Sequence, residues 1–177
     1  HTIGRRQRQM CIRDSSFILS KLIRSSWMFW KGRSGEPYWN MPYSFRGHIV
    51  VLVNENTYSD GEALAEGFKQ LGLGTTIGMR TWGGQIWLNS SNRQSDGGLA
   101  RAPMIGVYGN NGDWLIEGRG YEPDIVLDNL PHETYNGKDA QLEAAIELLK
   151  KKILEDPRDV PKVPAYPDKS FKNNRKE

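Results

Sequence analysis

Apolar positions follow two distinct rhythms along this chain. Phe17, Ile18, Leu19, Leu22, Ile23 and Met28 recur at helical spacing before Gly32, which predicts a helix over 16–31. Ile49, Val50, Val51, Leu52 and Val53 run without alternation, so 47–55 is expected to be a strand buried on both faces. Helical spacing returns over 60–71, with Leu64, Phe68 and Leu71 on one stripe and Gly72-Leu73-Gly74 as the stop. A strand over 75–81 would then complete a βαβ-like unit. Further strands are expected at 85–89, 101–108 and 114–117, the last two joined by a turn at Gly109-Asn110-Asn111-Gly112. Residues 32–46, with Gly35, Pro37 and Pro42, read as an irregular connection anchored by Tyr38, Trp39 and Tyr43. A long amphipathic helix over 138–154 follows the Asn136-Gly137 turn, and four prolines after Asp156 mark an extended tail. Strands alternating with helices make this an α/β chain.

At 177 residues the chain suits one domain, and its longest apolar runs are strand-sized, so no membrane helix fits. The net charge of +3 and pI near 9.0 suggest a nucleic-acid partner until the charges are placed. Residues 1–33 carry eight Lys/Arg against one acid and residues 150–177 nine against five, while 34–149 carry seven against fifteen. A nucleic-acid groove would put its positive charge on the folded body, which here is acidic. The basic ends therefore read as solubilising tails, and Lys150-Lys151-Lys152 as a solvated helix end. A single cysteine, Cys11, allows no disulfide within the chain. His1, His48 and His132 lack ligand spacing, so no metal site is expected. The first fifteen residues, ending Met10-Cys11-Ile12-Arg13-Asp14-Ser15, resemble the translation of a sequencing-library adapter. Three parts are expected on this basis: a non-native or disordered segment over 1–15, a folded domain over 16–155, and a Pro/Lys-rich tail over 156–177.

The chemistry concentrates at Asn54-Glu55-Asn56-Thr57-Tyr58-Ser59-Asp60-Gly61-Glu62, between a strand and a helix. Such a corner lifts the Ser59 hydroxyl to the positive end of a helix, where backbone N–H groups face incoming negative charge. Acyl transfer needs an attacking oxygen and a stabilised oxyanion side by side. The same residues carry a plainer reading, because Ser59-x-x-Glu62 is a capping box. Gly61 lacks a side chain that would obstruct a substrate backbone. Trp27, Trp30, Trp39, Trp82 and Trp87 read as core and subunit-contact residues rather than ligand stackers.

Three blocks in order resemble the tail-specific, or C-terminal processing, serine peptidase superfamily. They are Asn54-Glu55-x-Thr57-x-Ser59-Asp60-Gly61-Glu62; Thr76-Ile77-Gly78-x-Arg80-Thr81-Trp82-Gly83-Gly84; and Glu117-Gly118-x-Gly120-x-x-Pro123-Asp124-Ile125 with Asp128-Asn129-x-Pro131. The resemblance spans about residues 16–170. One branch of that superfamily uses a Ser–Lys dyad with its lysine in the glycine turn. Here that turn reads Trp82-Gly83-Gly84-Gln85, and no lysine lies between Lys69 and Lys138. The other branch, typified by tricorn protease, uses a serine, a histidine, a second serine and a glutamate.

The resemblance to the tricorn branch implies the C-terminal half of its catalytic domain, with a crotonase/ClpP-like spiral of strands and helices. It makes Ser59 the nucleophile, the Asp60 N–H the oxyanion donor, Gly61 a substrate-binding position and Glu117 the supporting acid of the relay. The histidine and second serine would come from an upstream half, beyond a PDZ module, and neither His48 nor His132 matches the catalytic position. The family's glycine-rich oxyanion segment would fall at Met10 to Asp14, which does not match. Peptides or unfolded chain ends are the implied substrates and no cofactor is implied, with homo-oligomerisation expected and neither nucleic acid nor membrane as partner. The compartment would be the cytoplasm, or the periplasm if a signal precedes the segment. Two rival readings remain: a non-catalytic scaffold or peptide-binding module in which Ser59 is only a cap, and a crotonase-like acyl-CoA enzyme.

Overall fold

A computed structural model describes residues 14–167. Cys11, nearly all of the 1–15 segment and the end of the tail lie outside the described residues. The βαβ-like unit forms as the hydrophobic pattern requires. Strand β1 (Phe29–Trp30) and strand β2 (Tyr38–Trp39) make a small antiparallel pair, and β3 (Val50–Val53) leads into helix α2 (Asp60–Gln70) and strand β4 (Thr75–Gly78). Helix α1 (Ser15–Leu22) precedes them all and packs on α2, with Gly67 leaving room for the Leu19 side chain. β3 and β4 are parallel, Val50 opposite Thr75 and Val53 opposite Gly78, and β4 pairs in parallel with β7 (Ile125–Val126) on its other side. β5 (Trp87–Arg93) and β6 (Leu99–Ile105) form a separate antiparallel hairpin, and helices α3 (Pro131–Tyr135) and α4 (Ala140–Glu155) close the chain. α2 packs on β4, and α4 on β3 and β4.

Several elements differ from the sequence expectation. The first helix stops at Leu22 rather than running to Lys31, because the amides of Trp27 and Met28 both donate to the Asn40 side chain, at 3.2 and 3.0 Å. That capture turns Phe29 and Trp30 into the strand paired with Tyr38 and Trp39, inside what read as an irregular connection. The strand expected over 47–55 is buried only at Val53, and Val50–Leu52 are half-buried, since β3 lies at the edge of its sheet. α2 buries Gly61, Ala65 and Phe68; Leu71 sits at its C-cap and is exposed. Trp27, Trp30, Trp39 and Trp82 are exposed and Trp87 is half-buried, so none of the five is core within this chain. Ser15, the last residue of the expected N-terminal segment, begins α1 and is buried. The expected 114–117 strand reduces to a single bridge between Tyr108 and Trp114 across the 109–112 turn.

The core centres on Val53, Ala65, Phe68, Ile77, Ile116 and Tyr121. Phe68 is fully enclosed, and burying such a ring is worth roughly 3 kcal/mol. The third motif block closes this core through β4. The Thr76 hydroxyl lies 2.8 Å from the Tyr121 hydroxyl, donates to Asp124 Oδ2 at 2.8 Å and accepts from the Asp124 amide at 2.9 Å. Thr76 N–H adds a bond to the same carboxylate, and Lys69 Nζ sits 3.1 Å from Asp124 Oδ1.

Partial burial raises the cost of charge on Asp124, but the two Thr76 bonds and Lys69 outweigh it and hold the carboxyl below its ordinary 3.8. Such a group binds fewer protons folded than unfolded. Its stabilisation is complete above the unfolded value and is lost as pH falls through the folded one. Urea midpoints should therefore fall as the pH drops below the ordinary 3.8 toward the lowered folded value. Asp124→Asn should lower the midpoint at neutral pH and flatten that acid limb, and an unchanged limb would show that Asp124 contributes nothing to it.

Candidate active site

The sequence builds the corner at Ser59 from local bonds. Thr57 N–H donates to the Asn54 carbonyl at 2.8 Å, Asn54 N–H donates back to Thr57 Oγ1 at 3.1 Å, and Asn54 Oδ1 takes the Asn56 amide. This tight turn ends β3 and delivers the chain to Ser59, the N-cap of α2. There the backbone has φ 54° and ψ −122°, a conformation that L-residues rarely adopt. A non-glycine residue in such strain persists only where its surroundings over-determine it. A strand-to-helix corner that exposes a serine hydroxyl is where hydrolases place a nucleophile.

The surroundings are supplied by Glu62. Ser59 and Glu62 occupy the two positions of a capping box, with Ser59 N–H donating to Glu62 Oε2 at 2.9 Å. The carboxylate does more than cap. Oε1 accepts from the Thr81 hydroxyl at 2.5 Å and the Gly83 amide at 2.7 Å, while Oε2 also accepts from the Gly84 amide at 2.9 Å. Glu62 is fully buried. The sequence marks it only as a capping residue, because its other partners lie nineteen to twenty-two positions further on.

Asp60 opens α2 and is likewise buried. Its carboxylate takes the Ser15 amide at 2.9 Å and the Ser15 hydroxyl at 2.6 Å, tying the start of α1 to the corner. Burial works against its charge, but the Ser15 bonds prevail and hold it below the ordinary value. Gly61 is buried, and its N–H donates to the Tyr58 carbonyl at 3.1 Å.

Glu117 is exposed, and its Oε2 accepts from the Gln85 amide at 2.7 Å. The next residue, Gly118, donates to the Gly83 carbonyl at 2.9 Å. Gly120, at φ 78°, packs so closely on the Thr81 carbonyl that a Cβ there would overlap it. The second and third blocks are zipped further by Thr81 N–H to the Tyr121 carbonyl and Tyr121 N–H to Thr81 Oγ1. Successive amides of the glycine turn thus divide: Gly83 and Gly84 face Glu62, and Gln85 faces Glu117. Ser59 and Glu117 are not directly bonded, but both hang on this one turn.

Two recesses flank the corner. One of about 450 Å³ is shared by Asn54, Glu55, Asp128 and Asn129, which brings the first and third blocks together. The other, of about 250 Å³, starts at Ala63, one helical turn from Ser59, and is walled by Val107, Leu115 and Ile116. Gln85 lines it at 3% exposure, and its Oε1 is buried without a hydrogen-bond partner. Tyr58 and Trp82 form an edge-to-face pair, ring centroids 5.9 Å apart, and both are exposed beside the turn. His48 and His132 are engaged elsewhere, His48 with the Asp156 carbonyl at 2.7 Å and His132 with Asn136 at 3.2 Å. Among the described residues no group of three His, Cys, Asp or Glu side chains could hold a metal ion.

Residues 6–127 match peptidase family S41. The chain belongs to that family. Within S41 its likeness is to the tricorn type. It is 32% identical over 153 residues to the tricorn protease of Thermoplasma acidophilum, an alignment covering 85% of this chain and 14% of that one. It is 36% identical over 141 residues to the tricorn-like protease C-terminal subunit assigned in Sulfurisphaera tokodaii, covering 80% and 16%. The crystal structure of the tricorn protease superposes with a TM-score of 0.74 at 32% identity, covering 79% of this chain and 14% of that one. The S41 chain described here therefore spans about a seventh of the length of these relatives. The α/β architecture and the C-terminal tricorn-type assignment stand on these matches together with the fold.

Proposed function

We propose that this S41 chain carries the nucleophile and the supporting acid of a tricorn-type serine peptidase acting on peptides or unfolded chain ends. Ser59 Oγ attacks the scissile carbonyl carbon, its proton passing to a histidine on another segment, and the Asp60 amide at the head of α2 stabilises the resulting oxyanion. The histidine then protonates the leaving amine as the C–N bond breaks, and water releases the acyl group from Ser59 by the reverse proton path. Glu117, with a second serine from the same absent segment, orients that histidine. A PDZ-like module and self-association belong to the same reading.

The observation that carries this proposal is the backbone of Ser59 at the N-terminus of α2, locked to the turn whose next amide holds Glu117. The capping box keeps the scaffold reading as the alternative.

Fluorophosphonate labelling separates the two. In the complete polypeptide that includes this segment, the probe should modify Ser59, and Ser59→Ala should abolish modification with the circular dichroism unchanged. A cap alone would give no labelling at Ser59 and a stability loss of about 1 kcal/mol in the variant. The purified 177-residue chain, without the proton acceptor, should hydrolyse peptides on the order of a millionfold more slowly than the complete polypeptide, the scale lost when the histidine of a triad is removed. Comparable rates would refute a divided site.

A further inference from the structure

We infer that Glu62 is a positioning residue, its buried carboxylate setting the geometry of the Ser59 corner and of the turn that presents Glu117. The inference rests on the reading of Ser59 as nucleophile. A capping box asks one bond of its acid, from the N-cap amide. Glu62 accepts four, from Ser59 N–H, Thr81 Oγ1, Gly83 N–H and Gly84 N–H, at 2.5 to 2.9 Å. A carboxylate offers about four acceptor positions, so all of them are filled, and every donor is neutral.

Three of those four donors belong to the segment after β4, where they do nothing for the helix. They fix the rotation of the glycine turn. Gly83 has φ 94°, and a Cβ there would lie 2.9 Å from the Gly120 amide nitrogen, so the turn is also confined on the side facing the third block. With Gly83 and Gly84 held on Glu62, the Gln85 amide can point only toward Glu117. The same carboxylate grips the amide of the strained Ser59. One side chain thereby keeps the nucleophile and the supporting acid in register, although neither touches the other.

Glutamine at 62 would accept through one end only and turn its NH₂ toward two donors. Aspartate keeps the charge but is one methylene short of the glycine turn. An ångström of displacement at a reacting group costs about a hundredfold in rate. In the complete polypeptide Glu62→Gln should therefore lower kcat by about a hundredfold with KM changed less than about threefold. Glu62→Asp should fall by about tenfold, and Thr81→Ser, which keeps the hydroxyl donor, should stay near the parent. In amide correlation spectra of the 177-residue chain, Glu62→Gln should shift Gly83, Gly84 and Gln85 together with Ser59.

If Ser59→Ala abolishes hydrolysis while Glu62→Gln retains parental kcat, or if the spectral change stops at Ser59, the positioning role is overturned and the nucleophile reading stands. Hydrolysis that survives Ser59→Ala overturns the nucleophile reading and this inference with it. Should Glu62→Gln fail to fold, Glu62→Asp decides by the same kinetic criterion.

Discussion

Ser59→Ala in the complete polypeptide should lower kcat by on the order of a millionfold while KM and helix content stay unchanged. The size of the effect follows from what the hydroxyl does. On the proposed mechanism it forms the bond that splits amide cleavage into two steps, and alanine offers no oxygen in its place. Glu117→Gln should fall between this variant and the parent, near ten-thousandfold, because it disturbs only the orientation of the proton acceptor. Steady-state kinetics on one peptide substrate decides both. Equal losses from the two substitutions would mean that Glu117 contacts the reacting atoms, and no loss from Ser59→Ala would return that residue to a purely structural role.

The second large effect is on folding. Gly78 lies at the end of β4, opposite Val53 in β3 and Val126 in β7, with φ 142°. A Cβ there would overlap the Val53 carbonyl oxygen, which already accepts the Met79 amide at 3.1 Å. Backbone of a paired strand cannot step aside as a side chain tip can. Gly78→Ala should cost more than about 3 kcal/mol, enough to leave much of the chain unfolded at ambient temperature. Gly72→Ala is the matched control. Its φ of 63° lies in the left-handed region that alanine enters at modest cost, and no atom lies within 4 Å of the added carbon, so the loss should be about 1–2 kcal/mol. Urea denaturation of the two variants separates collision from backbone strain. Similar midpoints would show that the sheet can open around position 78.

The parts of this fold that local pattern specifies were legible in the sequence. The apolar run before Ser59, the helical spacing after it and the glycines that end α2 predicted the βαβ-like unit, and parallel pairing of β3 with β4 bears that out. Residues whose fate depends on distant partners were not legible. Helical spacing past Ile23 gave no sign that Asn40 would capture the Trp27 and Met28 amides. Leu64, Phe68 and Leu71 fit one stripe, but α2 turns Gly61 and Ala65 inward with Phe68 instead, because the sheet and α1 approach from that side. At the site, Ser59 could be singled out from the strand-to-helix corner, and Glu117 only through the family resemblance. The full role of Glu62 could not, since its bonds to Thr81, Gly83 and Gly84 exist only once β4 has returned alongside β3. The juxtaposition of Ser-x-x-Glu with a later Thr-Trp-Gly-Gly was the available clue.

On the proposed mechanism, the backbone at residue 59 sets durability against reactivity within a single position. At φ 54° and ψ −122° glycine would rest at lower energy than serine, so a chain optimised only to stay folded would lose the hydroxyl there. The domain holds this strained corner at the expense of its own robustness.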